Sequence, residues 1–265
     1  MIPQNLIICM IIAIAMGFIL PALAGLFCRV KFGSKLRTFL VGCVAYFCFG
    51  DLIITLVGNL LALTPVGDII SSNIIATAIY SGVMTGIMVE LGRFLAIKYF
   101  LKEELSDNRN AIMFGAGAGG FETFYTLVSG MVSYLAISLN VNKNGIDSIL
   151  SLYDESEKAE MRTIIEEMAG ASWSMYIGPV VGGIAAILLS IALSIFMWLA
   201  VKKGQIAFAV IAALLHIVFA TMTLMLSIMS DNIWAVEIVS IVLAVFYLYI
   251  AFLVYRNDKK EQRRI

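Results

Sequence analysis

A few ionisable side chains lie inside long apolar stretches of this 265-residue sequence: Asp51, Glu90, Arg93, Glu122, His216 and Glu237. An ionisable group in such surroundings is expensive, so it usually faces the interior of a helix bundle and is either paired or functional. Carboxylate and imidazole groups also serve as general bases and hydrogen-bond donors in hydrolysis. These residue types therefore suggest two roles, internal pairing and catalysis.

The segments that carry these residues are long enough to cross a membrane. Hydrophobic residues make up 61% of the chain and charged residues 14%, against roughly 25% charged in soluble proteins. About 20 apolar residues span a bilayer, and seven segments reach that length. They are Asn5–Phe27, Thr38–Thr64, Asn73–Tyr99, Asn110–Leu139, Trp173–Val201, Gln205–Met229 and Ile233–Tyr255. We predict an all-α, polytopic membrane helix bundle that forms one domain over residues 1–265.

Lysine and arginine residues set the expected orientation, because they favour cytoplasmic loops. The connections after the first, third and fifth spans are basic, and the C-terminal tail adds Arg256, Lys259, Lys260, Arg263 and Arg264. The opposite connections hold only Lys143, Lys158 and Arg162. We predict that the N-terminus lies outside and the C-terminus in the cytoplasm. The formal net charge is zero, which gives no reason to expect a nucleic-acid partner.

One substantial polar region interrupts the apolar segments, the acidic segment Asn140–Ser172. Within it, apolar residues recur at helical spacing at Met161, Ile164, Ile165 and Met168. This spacing predicts an amphipathic helix on the outer surface of the membrane. Its role is open between a solvated spacer and control of substrate access.

Four of the polar residues are predicted to share one layer of the bundle. At 1.5 Å per residue, Glu90 lies about 12 Å from the cytoplasmic boundary, Glu122 and Ser190 about 18 Å, and His216 about 17–20 Å. Glu90 and Arg93 are three residues apart, so they share a helix face and are expected to pair. The single histidine, His216, is either a hydrogen-bonded core residue or a member of a proton relay.

Small residues four positions apart occur in three of the spans. They are Gly82 and Gly86 in the third span, Gly115 and Gly119 with Ala116 and Gly120 in the fourth, and Gly178 and Gly182 in the fifth. Such pairs let helix backbones approach closely in a membrane. We therefore predict that the fourth span is central, with the third and fifth on either side.

The stretches MVELGRFLAIKYFLK and AIMFGAGAGGFE, at residues 88–102 and 111–122, resemble the YhfC-like branch of the glutamic-type intramembrane proteases. This superfamily includes the PrsW-like enzymes and the CAAX prenyl proteases. The resemblance implies a glutamate pair before Gly-Arg, then Gly-His-Gly-Gly-x-Glu, and later histidines with a serine. The matching positions are Glu90, Gly92, Arg93, Gly117, Gly119, Gly120, Glu122, Ser194 and His216.

Several positions depart from that pattern. Val89 stands in place of the first glutamate, and Ala118 and Ser190 stand in place of two histidines. Gly182 and Gly183 replace a Glu-Arg pair, and Ala220 replaces a common acidic residue. We predict that no residue is catalytic and that the following are motif remnants: Glu90, Arg93, Glu122, Ser190, Ser194 and His216. We also expect no cofactor and no metal, because no HExxH motif is present and one histidine cannot build a typical zinc site.

Three functions are compatible with the sequence. The first is a catalytically degenerate protease-like protein of the bacterial cytoplasmic membrane, which binds a membrane segment or a partner protein. Its setting would be peptide or bacteriocin export, immunity, or a transporter. The second is an active intramembrane protease in which Glu90 or Glu122 is the base and His216 the proton donor. The third is a small-molecule or ion carrier, although no internal repeat supports it.

Overall fold

The structure is a computed structural model that describes residues 1–262, with side chains through Asp258. Arg263 and Arg264 of the basic tail lie outside the described residues. Within residues 1–262 the regular structure is helical throughout, and seven helices are long and apolar enough to cross a membrane. The prediction of an all-α bundle with seven spans is confirmed. Which end of the bundle faces the cytoplasm stays a prediction.

The seven spans are, in order, Gln4–Phe32, Leu36–Ala62, Ile74–Phe100, Arg109–Asn144, Ser174–Lys203, Ile206–Met229 and Ile233–Asp258. The last helix continues to Gln262. Three shorter α-helices lie in the connections, at Pro65–Ser71, Asp147–Leu150 and Glu155–Gly170, together with a 3₁₀ helix at Lys102–Glu104.

Local sequence signals account for where several spans begin and end. The side chain of Asn73 accepts hydrogen bonds from the backbone N–H groups of Ile75 and Ala76, which caps the third span. Gly33 and Gly204 follow the first and fifth spans with φ of 66° and 67°. Glycine adopts this left-handed conformation without steric cost, so both positions end their helices.

The second span is not a continuous α-helix. A π-helical segment, Phe47–Ile53, separates the α-helices Leu36–Tyr46 and Ile54–Ala62. None of the residues from Phe47 to Ala62 is buried in the bundle. This half of the span is therefore peripheral, and π-helical segments frequently mark functional sites.

The fifth span is the centre of the bundle. The most apolar part of this span is 72% buried, against at most 28% for any other span. It packs against the first, third, fourth, sixth and seventh spans. The fourth span packs against the fifth, first and second, whereas the third packs mainly against the sixth. The fourth span is also interior, because every residue from Asn110 to Gly120 is buried. The prediction that the third span flanks it was wrong, whereas the predicted neighbour on the other side, the fifth span, is confirmed.

The small-residue pairs explain this arrangement. A Cβ atom on Gly115 would lie 2.4 Å from Cα of Ile191 in the fifth span. A Cβ atom on Gly86 would lie 2.4 Å from Cγ1 of Ile217 in the sixth. On Gly178 it would lie 3.0 Å from Ile233 in the seventh. The glycines thus join the fourth span to the fifth, the third to the sixth, and the fifth to the seventh.

The helix Glu155–Gly170 covers one end of the bundle. It buries Ile165 and Met168 against the start of the first span, and Met161 and Ile164 are partly buried beside them. The hydroxyl of Tyr176 in the fifth span donates a 3.0 Å hydrogen bond to the carbonyl of Met168. The apolar face that the sequence defined is therefore the face that packs.

A polar cluster ties three spans together at the opposite end. The Asn108 amide donates to Asp258 Oδ2 at 2.6 Å and accepts from Lys202 Nζ at 2.7 Å. Lys203 Nζ lies 2.8 Å from Asp258 Oδ1. Asp258 is 3% exposed, so its carboxylate depends on these partners.

Replacing Asp258 with alanine is expected to lower the free energy of unfolding by about 1.5–3 kcal/mol, because hydrogen bonds to a charged group are lost and Asn108 loses a partner. Thermal unfolding of the purified protein in detergent measures the change. The matched control is Asn257→Ala, an exposed neighbour on the same helix, which should change stability by less than about 0.5 kcal/mol. Equal effects of the two variants would contradict the assigned role of the cluster.

Candidate functional site

Five polar side chains from three spans meet inside the bundle and form what we call the buried network. Glu90 and Arg93 come from the third span, Ser190 and Ser194 from the fifth, and His216 from the sixth. Their relative exposure ranges from 0% to 4%, so bulk water does not reach them. The sequence prediction placed three of these residues, Glu90, Ser190 and His216, in one layer together with Glu122, and it paired Arg93 with an acidic residue.

Arg93 is the centre of the buried network. Its Nη1 donates to the carbonyl oxygen of Ser190 at 2.7 Å, to Ser190 Oγ at 3.2 Å, and to Ser194 Oγ. Its Nε lies 3.1 Å from Glu90 Oε2, which confirms the predicted pairing with an acidic residue. Neither Nε nor Oε2 makes a hydrogen bond, so this contact is an ion pair only.

The other carboxylate oxygen of Glu90 contacts His216. The distance between Glu90 Oε1 and His216 Nδ1 is 2.9 Å, and the hydrogen bond needs one proton on the imidazole or on the carboxyl group. Both oxygens of Glu90 are thus engaged, one by a guanidinium and one by an imidazole. This arrangement stabilises a buried carboxylate that would otherwise be costly.

Glycines bring the three spans close enough for these contacts. Gly86 lies one turn before Glu90, and its close approach to Ile217 sets His216 beside that glutamate. A Cβ atom on Gly119 would lie 2.7 Å from Cβ of Ser190, so the fourth span packs directly behind the serine. The glycine-rich stretch before Glu122 therefore has a packing role, as the sequence predicted.

Glu122 stands apart from the buried network. Its side chain is only partly buried, and its electrostatic neighbours are His216, Arg93, Tyr46 and Glu90. The Tyr46 hydroxyl in the second span lies close enough to interact with the Glu122 carboxylate. The structure therefore brings Glu122 near the other predicted residues without making it one of their hydrogen-bonding partners.

Two tyrosines, Tyr46 and Tyr125, lie near the face between the second and fourth spans and were not singled out from the sequence. Tyr125 interacts with Asp51, which lies within the π-helical segment. Tyr46 directly precedes that segment. No signal in the sequence marks the π-helical turn, and the turn changes which side chains of the second span face the fourth.

Glu237 lies at a different place from the buried network. It is 9% exposed and comes from the seventh span. A Cβ atom on Gly182 would lie 2.6 Å from its Oε2, so the carboxylate packs directly against the backbone of the fifth span. It lines a cavity of about 170 Å³ together with Glu122.

Seven spans around a buried glutamate, arginine and histidine define a polytopic membrane protein with an ionisable site within the bilayer. The sequence model of the family described as "YhfC intramembrane metalloprotease" matches residues 16–240. This chain belongs to that family, and it is an integral membrane protein of a bacterium.

A curated relative agrees with this assignment. The "Uncharacterized membrane protein YhfC" of Bacillus subtilis (strain 168) is 26% identical over 224 residues, which is 83% of this chain and 84% of that protein. No solved structure matches the chain.

The family description implies a metal, and a metal needs a suitable set of donor side chains. A catalytic zinc has three protein ligands, usually histidine and carboxylate. Within the described residues, no three His, Cys, Asp or Glu side chains are grouped so that they could hold an ion. His216 Nδ1 is used by Glu90, and the Arg93 cation lies against the same carboxylate. The residues of this site do not fit a metal centre.

Proposed function

We propose that this member of the YhfC family keeps a protease-like fold but does not hydrolyse peptides, and that it binds a membrane segment or a partner protein. The observation that carries the proposal is the buried network. Both oxygens of Glu90 are engaged, and Glu90, Arg93 and His216 are each at most 4% exposed. A general base must reach a water molecule, and Glu90 is held where it cannot do so.

The positions that depart from the family pattern support the same proposal. Val89 and Ala118 are 4% and 3% exposed, so each is packed as an apolar core residue. Ala118 lies against the second span, where a Cβ atom on Gly42 would be 2.9 Å from its backbone nitrogen. Ser190 accepts a hydrogen bond from Arg93. None of the three supplies a base or an imidazole.

A second candidate is peptide hydrolysis with Glu122 as the general base. Glu122 is partly buried, lines the cavity of about 170 Å³, and has the Tyr46 hydroxyl beside it. A tyrosine hydroxyl can donate a hydrogen bond to an oxyanion. The family pattern has an acidic residue at the position of Gly182. The carboxylate of Glu237 occupies the space beside Gly182, so an acidic group is present there in this chain as well.

The two candidates are separated by a cleavage assay. Purified protein in proteoliposomes is incubated with a panel of transmembrane peptides, and the products are identified by mass spectrometry. We expect intact peptides with the wild type and with Glu122→Gln, together with retention of a subset of the peptides on the immobilised protein.

The proposal fails if the wild type cleaves a peptide, and loss of that cleavage in Glu122→Gln, at an equal amount of folded protein, would assign Glu122 as the base. Loss of a general base lowers a rate by about 10²–10⁴, which the assay resolves. The matched control is Glu157→Gln, an exposed residue of the acidic segment, which should behave as the wild type in either case.

A further inference from the structure

Two cavities share one residue near the end of the bundle that carries the acidic segment. The larger has a volume of about 470 Å³ and is lined by Ser174, Ser230, Asp231 and Glu237 among others. The smaller, of about 170 Å³, lies deeper. Its lining includes Glu122, Thr123, Ala186 and Glu237. Glu237 is therefore the side chain at the boundary between them.

The position of Glu237 is unusual for a carboxylate. It is 9% exposed and lies one turn inside the seventh span, against the backbone at Gly182. Among the residues that the structure describes, no donor or cation is paired with it. A buried carboxyl group without a protein partner is costly unless water supplies its hydrogen bonds.

The smaller cavity has the properties of a water site. One buried water needs a volume of about 10–15 Å³ and two to four polar partners. The cavity exceeds that volume and has the carboxyl groups of Glu122 and Glu237 in its lining, whereas the Thr123 hydroxyl already donates to backbone carbonyls. By contrast, a groove of about 410 Å³ beside Leu20 and Phe27 is lined by apolar side chains and suits lipid chains.

We propose that water passes from the larger cavity past Glu237 into the smaller cavity and reaches Glu122. Glu237 is a positioning residue on this route, because its carboxyl group supplies the hydrogen bonds at the narrow boundary between the cavities. The route depends on the two carboxyl groups that line the smaller cavity, and it stands whether or not the chain hydrolyses peptides.

Modification of single cysteines by a small, membrane-impermeant thiosulfonate tests the route. In a background without Cys9, Cys28, Cys43 and Cys48, Ala186→Cys reports on the smaller cavity and Ser174→Cys on the larger. Val210→Cys, on the exposed outer face of the sixth span, is the lipid-facing control. Ser151→Cys in the acidic segment marks the side of the membrane from which the reagent must enter.

We expect Ala186→Cys to react from the same side as Ser151→Cys, and about tenfold faster than Val210→Cys. Adding Glu237→Leu should slow that reaction about tenfold, whereas Glu237→Gln, which keeps hydrogen-bonding groups, should leave it nearly unchanged. Ser174→Cys should react equally with glutamate, leucine or glutamine at position 237, which shows that access to the larger cavity is unchanged.

The proposal is overturned if Ala186→Cys reacts as slowly as Val210→Cys, because no aqueous path would then lead to the smaller cavity. It is also overturned if the reagent reaches Ala186→Cys only from the opposite side. Equal rates with glutamate and leucine at position 237 would remove Glu237 from the route. None of these outcomes depends on peptide cleavage, so the route can fail while the proposed function stands.

Discussion

Replacing Arg93 with leucine is expected to lower the free energy of unfolding by about 3–5 kcal/mol, because it leaves Glu90 as a buried charge without its cation. The guanidinium also donates to Ser190 and Ser194 in the fifth span, so the third span loses its polar link to the centre of the bundle. The fraction of folded protein is measured in mixed micelles as the share of denaturing detergent is increased. This titration gives the change in the free energy of unfolding.

Two further variants make the expectation specific. Arg162→Leu removes an arginine whose ion pair with Asp147 is exposed, and it should cost less than about 1 kcal/mol. Replacing Glu90 with leucine in the Arg93→Leu background should recover part of the loss, because both charges are then gone. If Arg93→Leu is no worse than Arg162→Leu, the buried network does not stabilise the bundle.

Replacing Gly115 with alanine is expected to lower the free energy of unfolding by about 2–3 kcal/mol, because one added methyl group forces two helices apart. The new Cβ atom would lie 2.4 Å from Cα of Ile191 and 2.7 Å from the carbonyl oxygen of Ser190. Both are backbone atoms, which cannot rotate away as a side chain can. The displacement would reach Ser190, and with it the contact to Arg93.

The same substitution at Gly130 is the matched control. Gly130 lies in the same span, and a Cβ atom there meets nothing within 4 Å. Alanine is favoured over glycine in a helix by roughly 1 kcal/mol, so Gly130→Ala should be neutral or stabilising. The two variants are compared by thermal unfolding in detergent. A loss of similar size at both positions would show that close packing at Gly115 is not the cause.

Together these expectations describe a bundle whose central polar residues serve its assembly. Arg93 and Glu90 satisfy each other, and the glycines allow the approach that makes this possible. Glu122 and Glu237 differ, because they border cavities and lack a full set of protein partners. A water route or a bound partner would therefore act on these two acidic residues and not on the buried network.

The sequence by itself determined the number of spans, because apolar length and low charge are sufficient to define a membrane helix. It also predicted the contact between Glu90 and Arg93, since residues three apart share a helix face in any tertiary arrangement. The apolar face of the helix Glu155–Gly170 followed from the spacing of its residues in the same way. The direction in which the bundle crosses the membrane rests on the charge distribution and stays a prediction.

Only the tertiary structure decided which spans meet. A pair of glycines shows that a helix can be approached closely, but it does not identify the helix that approaches. The third span pairs with the sixth and not with the fourth, and this choice places His216 against Glu90. The π-helical turn likewise decides the surroundings of Tyr46, and the packing of the seventh span sets Glu237 against Gly182. These contacts depend on shape complementarity between whole helices, which local periodicity does not encode.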